Sequence, residues 1–302
     1  MNRLTRIAAT ALATAAVAAT VVVTGVTGGT AAEGTAPATG RGHYADVNGL
    51  HMYYEVHGRD RSKPPLVLLH GAFSATGSSW GELIRPLSWS RTVISVELQG
   101  HGHTGDVVDR PLRMSTMARD TVDLLSEIGV RKADFYGFSM GSGVALMIGL
   151  HHPERVNKLV LQSLGITTDG FHPGHEEGMA AITPDMLRGT PFYEEYADLN
   201  PHPENFDLLV AKVKDMVLAK EQFPADAIRA MGVPVLTVVG DSDIVRPEHA
   251  VEIFRLTGGG VNGDVNGMPR SRLAVLPGAS HITSVRQRDL LVSMVPSFLD
   301  AA

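Results

Sequence analysis

Apolar residues along this chain follow two regimes. From His43 onward, Tyr44 and Val47, then Leu50, Met52, Tyr54 and Val56, alternate with polar positions on either side of Asn48-Gly49. That dipeptide favours positive φ at both central residues of a two-residue turn, so the spacing predicts an opening antiparallel hairpin. After the Pro64-Pro65 breaker the pattern changes to predominantly apolar runs at residues 66–69, 92–96, 133–136, 158–161, 233–239 and 273–276. Such runs suit strands buried on both faces. Between them, residues 117–128 carry Val122, Leu124, Leu125 and Ile128 in a helical pattern, and residues 143–150 are almost wholly apolar. Strands alternating with helices predict an α/β fold with a mainly parallel central sheet and helices on both faces.

Two segments depart from that rhythm. Residues 167–224 are rich in Pro, Glu, Asp, His and Met, and hold helical patches such as 206–218 but no buried strand. They read as a helical cap inserted over the sheet, dividing the core into 39–166 and 225–302. It leaves the sheet after the run at 158–161, where parallel strands gather their C-terminal loops, so it is expected to cover any site built there. At the other extreme, Arg3 and Arg6 precede an uncharged stretch from Ile7 to Val23 built of Ala, Val, Leu, Ile and Thr. Small residues follow it. This order predicts a secretory leader over residues 1–38, cleaved after Ala32 or Ala38, and an extracellular mature protein without stable membrane association.

Composition narrows the chemistry. The chain has 302 residues, a formal net charge of −6 and no run of Lys or Arg, which makes nucleic acid and anionic membrane surfaces poor partners. Cysteine is absent, so disulfides, thiolate metal sites and a cysteine nucleophile are excluded. Covalent catalysis must use another residue.

Gly137-Phe138-Ser139-Met140-Gly141 fits G-x-S-x-G, directly after one apolar run and before an apolar helix. In that context the two glycines allow a tight strand-to-helix turn that pushes Ser139 into a strained, exposed position above a helix N-terminus. A serine hydroxyl needs a base to take its proton and a carboxylate to orient that base. Gly240-Asp241-Ser242-Asp243 closes one later run, and Pro277-Gly278-Ala279-Ser280-His281 closes the last. His281 is the candidate base. Asp241 and Asp243 both lie in the right loop, and spacing does not choose between them. His172-Pro173-Gly174-His175-Glu176-Glu177 has ligand chemistry, but the intervening Pro and Gly and the lack of a third placed ligand argue for a solvated rim rather than a metal site.

From about Tyr44 to Leu299 the chain resembles the α/β-hydrolase fold superfamily, in its esterase, lactonase and cofactor-free haloperoxidase-like branch. The resemblance rests on His70-Gly71, Gln99-Gly100-His101-Gly102, the Ser139 motif, Gly240-Asp241-Ser242-Asp243 with Pro247, and Gly278-Ala279-Ser280-His281, in that order. It implies a serine hydrolase of carboxylic esters or lactones with a Ser139–His281–Asp243 triad, no cofactor and no metal. Asp243 is preferred because the family's acid stands four residues before the proline. The oxyanion hole is implied to be the backbone N–H groups of Ala72 and Met140, and the expected substrate contacts are Phe73 with Met179, Met186, Leu187, Phe192 and Tyr193 of the cap. Glu97 stands where many relatives have Asp, and Ser142 where a second glycine is frequent. The same triad would serve perhydrolysis or carbon–carbon bond hydrolysis, and the same fold a ligand-binding receptor. Epoxide hydrolase and haloalkane dehalogenase chemistry is disfavoured, since those relatives carry Asp at the Ser139 position.

Overall fold

The computed structural model describes residues 41–301. The stretch read as a secretory leader and both of its expected cleavage points lie outside the described residues. Strands β1 (Arg41–Val47) and β2 (Leu50–His57) form the expected hairpin, and Asn48 and Gly49 take φ of 52° and 83°. The remaining strands are β3 (Leu66–Leu69), β4 (Val93–Val96), β5 (Ala133–Phe138), β6 (Val156–Gln162), β7 (Val235–Ser242) and β8 (Arg272–Ser280). They form one sheet in the order β1-β2-β4-β3-β5-β6-β7-β8. Pairing is antiparallel for β1/β2 and β2/β4 and parallel from β4 to β8.

Both faces of the sheet are covered, as the predominantly apolar runs require. On one side Val67, Leu69, Phe135, Leu159 and Leu161 pack with helices α2 (Met114–Glu127) and α3 (Met140–His151). Their sequence neighbours Leu66, Leu68, Tyr136 and Val160 point the other way, onto α1 (Thr76–Leu87) and the C-terminal helix Arg288–Leu299. The period-two alternation of side chains thus splits each strand between two cores. The run at 273–276 is a correction. It belongs to the edge strand β8, where Val275 is exposed and Leu273 and Ala274 are only partly buried against clusters on opposite faces, so the run is not buried on both faces as the central strands are.

Between β6 and β7 lie the helices α4 (His175–Ala181), α5 (Pro184–Leu187), α6 (Pro191–Leu199), α7 (Phe206–Ala219) and α8 (Ala225–Ala230). The segment is pinned to loops that follow β3 and β4. Glu195 accepts from the N–H groups of Ala75 (3.1 Å) and Ser78 (2.9 Å), and Asn200 Nδ2 donates to Gly102 O at 3.0 Å. Lys212 Nζ donates to Asp106 (2.6 Å) and to the carbonyls of Val107 and Arg110. These loops leave the C-terminal ends of parallel strands, so the insertion lies across that end of the sheet. Ile182, Leu187, Tyr196, Phe206, Leu209 and Val213 continue the apolar cluster of that face instead of forming a separate core.

Candidate active site

The turn from β5 into α3 explains the position of Ser139. A Cβ on Gly137 would lie 2.2 Å from Gly141 O, and one on Gly141 would lie 2.0 Å from Leu69 O. Neither position tolerates a side chain. Ser139 itself is held at φ 53°, a left-handed conformation costly for a non-glycine residue, with its N–H donating to Gln162 O at 2.9 Å. Ser142, in place of the frequent second glycine, donates to Gly137 O (2.6 Å) and Gln162 O (2.8 Å) and so ties the first turn of α3 to the ends of β5 and β6.

His281 is the first residue of the short helix Thr283 helps to cap, and its ring lies beside that of Phe138 with centroids 5.0 Å apart. Its Nε2 is 3.0 Å from Ser139 Oγ and its Nδ1 is 2.8 Å from Asp243 Oδ1. A carboxylate only accepts, so Nδ1 carries the proton and Nε2 presents a lone pair to the hydroxyl. Burial pushes the Asp243 carboxyl up. The hydrogen bond and charge of His281, then Ser163 and the Val245 amide, outweigh burial and hold it below the ordinary carboxylate value.

The two aspartates left open by spacing separate here. Asp243 is buried and faces His281, whereas Asp241 is exposed and accepts the N–H groups of Gly278 (2.8 Å) and Ala279 (3.2 Å). Asp241 therefore joins the end of β7 to the end of β8.

The loop after β3 runs against the elbow: a Cβ on Gly71 would stand 2.9 Å from Phe138 Cδ1 and 3.5 Å from Ser139 Cβ. Gly71 O accepts from His70 Nδ1 (2.8 Å) and Ser74 Oγ (2.9 Å). Since a trans peptide sets its C=O and N–H antiparallel, fixing that carbonyl aims the Ala72 N–H the opposite way. Met140 opens α3, where first-turn amides precede any intrahelical acceptor. Leu98 N donates to His70 Nε2 at 3.0 Å, completing a neutral imidazole whose pKa burial, then His101, pushes down to about 3.

Among the expected substrate contacts, Phe73 is buried at φ 60° and lines a small crevice with Glu195, Tyr196 and Leu209 of the insertion. Met179, Phe192 and Tyr193 are partly buried against the core. Two expectations are corrected. Met186 is exposed at 42%, because α5 is a single turn that turns it outward, and Leu187 is buried at 4% in the apolar cluster shared with Phe206 and Val210. Of the loop considered for metal, His175 stacks on Phe171 with centroids 4.2 Å apart. Burial, then the nearby charge of His281, pushes its pKa down. Among the described residues no group of three or more His, Asp or Glu side chains is arranged to hold a metal ion.

Motif spacing missed the residues behind the site. Ser163, just past β6, donates to Asp243 Oδ2 at 2.5 Å, and Ser284 Oγ donates to His281 O at 2.8 Å. Glu97, buried, accepts from Thr76 N (3.2 Å), His103 N (2.6 Å) and His103 Nδ1 (2.9 Å). An acidic residue inside an apolar stretch was the available signal for Glu97. Ser163 had none, since a lone serine after a strand is common.

The chain matches the family model described as the alpha/beta hydrolase fold over residues 64–207. A protein of Agrobacterium fabrum named as a carbamate hydrolase, RutD, is 26% identical over 266 residues, covering 82% of this chain and 98% of that one. A crystal structure of a membrane phospholipase A superposes with a TM-score of 0.71 at 21% identity, over 86% of each chain. The enol-lactonase from Burkholderia xenovorans LB400 superposes with a TM-score of 0.63 at 20% identity, over 86% of this chain and 100% of that one. At these identities the superpositions establish a shared fold.

Proposed function

From the premise that this chain belongs to the α/β-hydrolase fold superfamily, we propose that it is a serine hydrolase that cleaves carboxylic esters or lactones through an acyl-enzyme on Ser139. The observation that carries this reading is the continuous hydrogen-bonded series from Ser139 Oγ through His281 to Asp243, with contacts of 3.0 and 2.8 Å. Fold alone assigns no activity.

In the proposed reaction His281 Nε2 takes the Ser139 proton as Oγ adds to the substrate carbonyl. Asp243 stabilises the imidazolium and holds its ring in register. Charge developing on the carbonyl oxygen meets the N–H groups of Ala72 and Met140, and the N-terminal end of α3 adds positive potential. His281 then gives the proton to the leaving oxygen. Water, deprotonated by the same nitrogen, releases the acid. The insertion over residues 167–224 acts as the cap, with Phe73, Met179, Phe192 and Tyr193 as the apolar contacts for the acyl chain. The arginine, apolar and small-residue order at the chain start supports export of the enzyme.

A chromogenic short-chain ester tests the proposal. A stoichiometric burst of chromophore followed by slower turnover is expected of an acyl-enzyme, and a ligand-binding receptor on this fold gives no burst.

A further inference from the structure

Ser163 occupies a conformation that serine does not choose. Its φ is 58°, in the left-handed region that favours glycine, and it is 3% exposed. Its N–H donates to Val238 O at 2.8 Å, which anchors the strained residue between the ends of β6 and β7. Strain of this kind persists where surrounding contacts impose it, and glycine would relieve it at no steric cost. The side chain is therefore the feature to explain.

That side chain has one short contact. Ser163 Oγ lies 2.5 Å from Asp243 Oδ2 and 3.5 Å from Ser284 Oγ. The other donor to Oδ2, the Gly240 amide, stands at 3.5 Å, while Oδ1 receives His281 Nδ1 and Val245 N (3.2 Å). Ser163 thus supplies the close donor to the oxygen turned away from the imidazole. Without it the buried carboxylate would keep a single long contact on that side. Rotation about the Asp243 Cβ–Cγ bond would then be opposed only from the His281 side. Ser284, beside Ser163, receives Gln162 Nε2 at 3.0 Å and donates to the His281 carbonyl, so the same cluster also grips the backbone of the histidine.

We infer that Ser163 is a positioning residue for the proposed reaction: it fixes the Asp243 carboxylate so that Oδ1 meets His281 Nδ1. The inference rests on the serine-hydrolase reading and adds a residue to it. Of the nearby ionisable groups, His281 bonds Asp243 directly, His175 from α4 interacts with His281, and Asp241 near the end of β7 is engaged by the Gly278 and Ala279 amides. None of the three donates to Oδ2. Removing the Ser163 hydroxyl concentrates carboxylate charge on the remaining acceptor bond and favours the imidazolium. The acid limb of the rate profile should move to higher pH.

The test is Ser163→Gly beside Ser163→Ala, with kcat, KM and the pH profile read on a chromogenic ester and thermal melting read in parallel. Glycine removes the hydroxyl while relieving the backbone. Both variants are expected to lose roughly tenfold or more in kcat with KM little changed, in line with the loss of a hydrogen bond to a charged group. Both should show the acid limb displaced upward, and Ser163→Gly should melt above Ser163→Ala, because glycine relieves the positive φ that alanine keeps. A Ser163→Gly enzyme with wild-type kcat and an unmoved profile overturns the inference. A wild-type protein with no burst and no turnover on esters, lactones or thioesters overturns the serine-hydrolase reading, and this role with it.

Discussion

Ser139→Ala is expected to lower ester turnover on the order of 10³-fold or more, leaving the residual rate supplied by the oxyanion donors and binding. The melting temperature should change little, because the Oγ contact given up is the one to His281. The two aspartates should separate just as clearly. Asp243→Asn removes a buried acceptor of the His281 proton and favours the wrong tautomer, so kcat should fall by about 10³-fold or more. Asp241→Asn keeps an oxygen for the Gly278 and Ala279 amides and should cost less than about tenfold. Steady-state kinetics on one chromogenic ester ranks them, and the opposite order would move the triad role to Asp241. Ser139 and His281 were legible in the sequence because each ends a strand in a loop of distinctive composition. The choice between Asp241 and Asp243 was not legible from spacing. It depends on a turn that points one carboxylate inward and hands the other two backbone amides.

Among elements, the helices of the insertion do different jobs, and their substitutions should divide accordingly. Leu187→Ala on α5 opens a cavity in the cluster it shares with Phe206 and Val210 and should cost about 2–5 kcal/mol. Its exposed neighbour Met186→Ala should stay within about 0.5 kcal/mol of wild type. Denaturant unfolding measures both. Tyr193, edge-on to Phe206 with centroids 4.9 Å apart, and Phe192 are partly buried, and their alanine variants should shift relative rates among short- and medium-chain esters more than they shift melting. Uniform rates accompanied by lower melting would make α6 a cover alone. Richness in Pro, Glu, Asp, His and Met, with helical patches and no buried strand, announced that 167–224 was helical and separate in rhythm. It did not distinguish packing residues from lining residues, since a helix of one or two turns has no periodicity to show which side is inward. The loop after β4 illustrates the same limit: its glycine motif was readable, yet the φ of 52° at Gly102 and the 2.2 Å that would separate its Cβ from Glu97 Oε2 appear only in the fold.

For the molecule as a whole, two buried histidines in the loops after β3 and β4 should lower stability as pH falls, opposed in part by Asp134, whose carboxyl burial pushes up to about 6. Burial, the largest cause for each, pushes the pKa of His70 down to about 3 and that of His101 down to about 4 from an ordinary 6.5. Between 6.5 and about 4 the unfolded chain therefore binds protons that the folded chain refuses, and stability falls as pH drops through that window. The slope is about 1.4 kcal/mol per pH unit for each unmatched proton. The Asp243 carboxyl, held low, adds stability above its ordinary 3.8 that is lost only at lower pH, so the two effects are separable. Denaturant midpoints from pH 7 to pH 4.5 measure the first, and His101→Gln should flatten the slope. The opening hairpin and the mainly parallel sheet covered on both faces follow from runs and alternation that a reader of the sequence could see, while this proton balance depends on burial that appears only once the chain is folded. The most direct measurement of the central claim is covalent: treat the folded protein with a fluorophosphonate, then determine intact mass and map the modified peptide. A single adduct on Ser139, absent from Ser139→Ala, and much slower to form in Asp243→Asn, is the predicted result. An unmodified wild-type protein, or an adduct on any other residue, would contradict it.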